Sequence, residues 1–193
     1  IEKDIFGNAR SNKNVIGAMT QKPTSAPNLL EYSKYGPSWF SNEQAESSPT
    51  TLTVSATAND LAAKIGAAKD GDIVALGAGD YALTTPLVIN KKITLQSANA
   101  GEKARIVYTG AENTPVFEMQ PKGNLILNTL ILEGAGTQFV FASLKENMSS
   151  LYQLKVSGCE ISNFNYVLKA YKESFADAIT FVETSIKNCA NGI

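Results

Sequence analysis

The chain has 193 residues, 44% of them hydrophobic, a formal charge of −1 and no histidine. That length allows one good core or parts of two. The near-balanced charge gives no electrostatic footprint for nucleic acid or an anionic membrane surface. The absent imidazole removes Ser-His-Asp and Cys-His catalysis, and all His-ligated metal sites, from this chain.

Residues 1–20 show no helical or strand period. Asp4-x-x-Gly7-x-x-Arg10 and Val15-Ile16-Gly17-Ala18 read as a tail that lies on something else, with Arg10 paired to a carboxylate such as Asp4. No signal peptide opens the chain, so the natural start is expected to be missing or removed. Residues 21–51 are a linker by composition, carrying Pro23, Pro27, Pro37 and Pro49 among many Ser, Thr and Asn residues. Within it, Trp39 reads as an anchor onto a domain face, with sugar stacking as the alternative.

A globular unit, 52–193, opens on the strand Leu52-Thr53-Val54. The cluster Thr57-Ala58-Asn59-Asp60 is fit to cap a helix whose apolar face is Leu61, Ile65 and Ala68. Lys69-Asp70-Gly71-Asp72 should end it. Strands are expected at Ile73–Leu76, Leu87–Ile89, Ile93–Leu95, Ile106–Tyr108 and Val116–Met119, with a turn over Gly77–Tyr81.

From Leu125 an apolar skeleton repeats. Leu125-x-Leu127-x-x-Leu130-x-Leu132 is matched 29 residues on by Leu154-x-Val156-x-x-Cys159-x-Ile161. A further 25 residues bring Ile179-x-Phe181-x-x-Thr184-x-Ile186. Two alternating pairs with a corner between them, on such a period, predict an all-β, right-handed parallel β-helix with an N-terminal capping helix, preceded by an extended linker. A leucine-rich repeat is the rival, but it needs tighter and more regular periods. The insertions at Met148–Ser150 and Tyr171–Ser174 suit excursions at one corner of a β-helix.

Asn163 and Asn188 hold one repeat position, filled by Gly134 in the earlier copy. Stacked corner asparagines that bond to one another and accept a left-handed backbone explain this position better than catalysis does. Cys159 and Cys189 fall on apolar positions and read as packed thiols, not as a disulfide or metal pair. The helix would cover one end of the solenoid. The other end stops within a repeat, so further coils, or another chain, are expected to cover it.

Asp4-x-x-Gly7-x-x-Arg10…Gly17-Ala18 followed by Tyr35-Gly36-Pro37-Ser38-Trp39 resembles the junction of two-domain family 6 polysaccharide lyases, the alginate lyase and chondroitinase B group. The stretch from Asn163 to Asn188 is similar to early coils of that family's second β-helix. The resemblance implies that residues 1–20 close a preceding β-helix domain and that 52–193 begin an accessory one. It implies a secreted or periplasmic bacterial enzyme that cleaves uronate-containing polysaccharide, alginate or glycosaminoglycan, by β-elimination. In that family calcium neutralises the uronate carboxylate, a lysine removes the C5 proton and an arginine assists. Those residues belong to the N-terminal β-helix, so no catalytic or metal residue is assigned to this chain.

Among the chain's own residues, Lys169, Tyr171 and Lys172, beside Glu173, form the best basic-aromatic cluster and the candidate contact for an acidic polysaccharide. Lys103 and Arg105 read as a solvated charged face. Asp70-Gly71-Asp72 lacks the further ligands of a calcium loop, and its turn role accounts for it. Neither nucleic acid nor a membrane span is expected. Two other readings remain: a non-enzymatic β-helix module for carbohydrate binding or surface adhesion, and a complete pectate-lyase-like enzyme. The lack of an acidic calcium cluster argues against the second.

Overall fold

A computed structural model describes residues 48–58 and 60–193, together with Lys3 and Ala9. The chain divides into two compact units, Ile1–Glu46 and Ser47–Ile193. In the first, Lys3 and Ala9 form an isolated antiparallel bridge. The readings of the tail and most of the linker, including Asp4, Arg10 and Trp39, lie outside the described residues.

The second unit begins with β1 (Thr51–Val54) and α1 (Leu61–Ala67) and then winds into a parallel β-solenoid. Its first full coil is β2 (Ile73–Leu76), β3 (Asp80–Leu83) and β4 (Leu87–Ile89). The second is β5 (Lys92–Ser97), β6 (Arg105–Tyr108) and β7 (Pro115–Met119). The third is β8 (Asn124–Asn128), β9 (Ile131–Glu133) and β10 (Phe139–Ser143). The fourth is β11 (Tyr152–Ser157), β12 (Glu160–Ser162) and β13 (Tyr166–Lys169). A last coil holds β14 (Ala176–Val182) and β15 (Ser185–Lys187). Corresponding strands stack into three sheets, ordered β1-β2-β5-β8-β11-β14, β3-β6-β9-β12-β15 and β4-β7-β10-β13.

Two corrections to the sequence reading follow. Each complete coil has three strands rather than two, and the segment Gly77–Tyr81 is not all turn, since Tyr81 is buried inside β3.

The expected stacking holds. Leu125 lies beside Leu154, and Leu154 beside Ile179, while Leu127, Val156 and Phe181 form the next column. Ile93 and Leu95 extend both columns backward. In the second sheet Tyr81, Ile106, Leu132, Ile161 and Ile186 align. In the third, Leu87, Phe117, Phe141 and Leu168 do so, with the Phe117 and Phe141 rings stacked at 5.5 Å. Parallel pairing in register puts identical faces inward at every turn, so the core is one continuous column. It closes toward α1, where Leu61 and Ile65 are buried. In the last described coil Ile179 is 38% and Ile186 45% exposed.

Capping differs from expectation. Asp60 holds the N-cap position of α1, but with φ −105° and ψ 14° it lacks the extended backbone of a capping residue and makes no side-chain cap bond. Its carboxylate stands 3.9 Å from Lys64 instead. The other end of α1 is capped from the solenoid: Lys91 Nζ donates to the Gly66 carbonyl at 3.0 Å and to the Ala68 carbonyl at 2.5 Å. A cation there satisfies carbonyls left over by the last helical turn.

The corners obey local backbone rules. Between the first and second sheets, left-handed residues recur at Thr129 (φ 53°), Gly158 (62°) and Glu183 (48°). Ser97 Oγ donates to the Thr129 carbonyl at 2.6 Å and accepts the Ala104 amide, tying this corner to the coil before it. Asn163 and Asn188 are left-handed too, at 62° and 52°. The amide ladder, however, runs two residues after Asn163 and three after Asn188: Asn191 Nδ2 donates to Asn165 Oδ1 at 3.0 Å and to its carbonyl at 3.1 Å. One coil earlier, buried Gln138 donates to the Gly110 carbonyl and accepts the Ala135 amide. Gly134 does not share the left-handed role, which falls on Gly136 (φ 92°) in that coil.

Both cysteines are free. Cys159 is buried, and burial pushes its thiol up from the ordinary value, leaving it a packed hydrophobe. Cys189 packs half-buried against the same core.

Candidate functional site

In the third sheet β4 alternates, whereas β7 and β13 each bury two consecutive residues, Val116-Phe117 and Val167-Leu168, and β10 buries all five of its residues, of which Val140 and Phe141 join the continuous core. Flanking the doublets, Pro115, Phe139 and Tyr166 pair in one column and Glu118, Ala142 and Lys169 in the other; Phe139 and Ala142 are buried, while Tyr166 and Lys169 are half-buried. Phe139 and Tyr166 meet edge to face at 5.4 Å, and Lys169 Nζ sits 4.1 Å from the centroid of the Tyr166 ring.

Of the three sequence candidates, Lys169 lies in a strand rather than on an excursion, and its aromatic neighbour is Tyr166, not Tyr171. Tyr171 and Lys172 lie in the corner loop 170–175, where Lys172 is exposed and Tyr171 half-buried. The preceding coil's loop, 144–151, leaves from the same corner and brings Lys145 Nζ to 5.8 Å from the Tyr171 ring. Phe175, 65% exposed, ends this stretch, and its carbonyl accepts the Tyr152 amide. Sequence reading passed over Tyr166, Phe139 and Lys145, because no fixed spacing links residues brought together by stacking of coils.

The outer face of the second sheet is charged but self-paired. Arg105 reaches Asp80 at 3.3 Å and Glu133 at 3.5 Å, and Lys103 bonds Glu160 at 2.8 Å. Lys103 holds the Glu160 carboxyl below its ordinary value. By contrast, among the described residues no carboxylate makes an ion pair with Lys145, Lys169 or Lys172.

The aspartates at 70 and 72 do not fit calcium. Asp70 Oδ1 accepts the Lys92 amide at 2.8 Å, while the Asp72 carboxylate takes the Lys69 amide at 2.7 Å and the Thr50 amide at 2.9 Å. Their oxygens are spent on the turn around Gly71 (φ 90°). Among the described residues no three His, Cys, Asp or Glu side chains come together as metal ligands. No described helix is long and apolar enough to cross a membrane.

The two amide donors, Lys69 foremost, hold the Asp72 carboxyl below its usual value. A depressed folded pKa stabilises the fold above the unfolded value, about 3.9, and this contribution disappears as pH falls through the folded value. Asp72→Asn is expected to lower the melting midpoint at pH 7, with the difference from wild type shrinking below about pH 4. Thermal scans across pH 3–7 check this; a difference independent of pH would refute it.

No family model and no curated protein matches the chain. Solved structures do. The chain is similar to the structure of the PL6 family alginate lyase AlyGC, at TM-score 0.66 and 24% identity, over 75% of this chain and 21% of that one. A second structure of AlyGC, carrying an arginine-to-alanine substitution, matches at TM-score 0.64 and 23% identity over the same shares. At this identity the likeness establishes the fold, the parallel β-solenoid that the repeat spacing predicts. The chain spans about a fifth of the length of the structures it matches.

Proposed function

We propose that this chain is the accessory β-solenoid part of a secreted or periplasmic polysaccharide lyase acting on uronate-containing polysaccharide by β-elimination. The observation that carries this reading is the solenoid's likeness to an alginate lyase over a fifth of that enzyme. The junction-like sequence of residues 4–39 supports it. In this reading, as the family resemblance implies, the lysine base, the arginine and the proposed calcium belong to another part of the parent protein. Here the solenoid extends the surface along which the acidic chain lies, with Lys169, Tyr171 and Lys172 as proposed contacts. A non-enzymatic carbohydrate-binding module is the second reading, favoured by the ring-held lysines, with which no carboxylate among the described residues makes an ion pair.

The parent protein and this chain alone, each incubated with alginate and with dermatan sulfate, separate the readings through the ultraviolet absorbance of the unsaturated product. The parent is expected to form product and to stop in chelator; this chain is expected to form none. Product from this chain alone would overturn its accessory role, and a parent inactive on both polymers would overturn the lyase reading.

A further inference from the structure

We propose that the outer face of the third sheet at the fourth coil is a subsite for an acidic sugar chain, with Tyr166 as the stacking platform and Lys169 as the carboxylate-binding cation; the choice of ligand rests on the polysaccharide reading above. A pyranose offers an apolar C–H face and, in a uronate, a carboxylate at its edge. An aromatic ring with an adjacent ammonium group complements both features at once.

Three features of the site favour a ligand over a purely structural pair. First, charge satisfaction is uneven. Lys103 and Arg105 on the second sheet are paired with carboxylates, whereas Lys169 and Lys145 lie by ring faces, at 4.1 Å and 5.8 Å, and make no ion pair with a carboxylate among the described residues. A cation over a ring keeps most of its capacity for an anion, since the ring quadrupole attracts it more weakly than a carboxylate does.

Second, the platform is rigid. Tyr166 packs on Phe139, which is only 4% exposed, and its backbone bridges to Asn191 beside the Asn165–Asn191 amide ladder. Seating Lys169 on the ring removes rotamer freedom before any ligand arrives, so less entropy is lost on binding. Third, the rings continue around the coil. Tyr171, approached by Lys145, and exposed Phe175 follow Tyr166 along the same turn, so that more than one sugar unit finds a ring.

The test is titration of this chain with alginate oligosaccharide, dermatan sulfate oligosaccharide and a neutral β-linked glucose oligosaccharide, by calorimetry or amide chemical shifts. Weak binding of an acidic oligosaccharide is expected, falling as salt rises, with none of the neutral chain. Lys169→Gln and Tyr166→Ala should each weaken binding roughly fivefold or more, while Tyr166→Phe keeps it. Circular dichroism of each variant confirms folding, and Lys169→Gln, at a half-buried position outside the core, serves if Tyr166→Ala unfolds. A purely structural pair would change the melting midpoint and leave affinity alone.

Equal binding of the neutral chain, or unchanged affinity in folded Lys169→Gln, overturns the proposal. So does absence of binding to both acidic oligosaccharides. These failures leave the lyase reading standing, because that is decided by product from the parent. Conversely, an inactive parent with binding intact removes the lyase and keeps the subsite. Preference for dermatan sulfate over alginate would support the acidic-sugar class and assign sulfate, with carboxylate, as the group read by Lys169.

Discussion

Phe141→Ala is expected to cost about 3–5 kcal/mol, the range for a large buried ring truncated in a core that cannot collapse around the gap. The ring is fully buried in β10, stacks on Phe117 at 5.5 Å and meets Phe181 edge-on at 6.3 Å. It therefore ties the third coil to the second within its own sheet, and reaches across the core to the last coil. Collapse is hindered because its neighbours are held by parallel ladders on both sides, through Phe117 and Leu168. In a domain of this size the loss corresponds to a fall in melting midpoint on the order of 10 °C.

The position within the stack matters as much as residue size. A solenoid's stability is close to a sum of coil and interface terms, so damage to an interior coil uncouples those on either side. Ile186 occupies an inward column of the second sheet but is 45% exposed, because no further coil lies against it among the described residues. Ile186→Ala should cost distinctly less than Phe141→Ala, since nearly half of the wild-type side chain already lies in water. Chemical denaturation of both variants checks the contrast. Similar costs for the two would mean that the core is not a graded column but a single cooperative mass.

The same gradient explains how much of the fold could be read from the sequence. First- and second-sheet strands alternate strictly from Leu125 onward, and their shared corner is only two residues long at 129–130, 158–159 and 183–184. A constant offset therefore exposes the repeat. In earlier coils the corner lengthens to 77–79 and 98–104, and the offset is lost although the registers are the same. Tyr81 and Leu83 alternate cleanly, but the glycines before them suggested a turn.

Strands β10 and β13 were hidden for a different reason. A buried doublet such as Val140-Phe141 has no period of two, so alternation cannot announce it. That irregularity also builds the candidate site, because it sets half-buried Tyr166 beside the core column, with its ring against buried Phe139. The lysine cluster was visible as composition, while its true ring partner, Tyr166, depended on the doublet. Asparagine chemistry was half legible. The left-handed backbone at Asn163 and Asn188 follows from residue type, but which amides stack depends on the path of the chain after the corner.

Gly134→Asn is expected to destabilise the fold strongly, because the repeat position invites it and the packing forbids it. Its neighbour in the next coil, Asn163, carries the asparagine at φ 62° without difficulty. A Cβ on Gly134 would lie 2.6 Å from the Asn163 carbonyl oxygen and 2.6 Å from the Cδ1 and Cε1 atoms of Phe164. The glycine is thus kept for clearance, not for backbone freedom: the Phe164 ring, 1% exposed, rests against it. Relief requires moving a core ring or a corner carbonyl, which costs about 1–3 kcal/mol or more. The reciprocal change, Asn163→Gly, suits the left-handed backbone and should alter stability by only a few tenths of a kcal/mol. Phe164 immediately precedes the Asn165–Tyr166 segment, so displacing its ring also tilts the Tyr166 platform. Gly134→Asn should therefore lose acidic-oligosaccharide binding as well as stability, though it lies in a different coil from Tyr166. Denaturation and titration of the two variants test both halves. A neutral Gly134→Asn would show that the corner has slack, and that conformation, not contact with Phe164, selects the residue there.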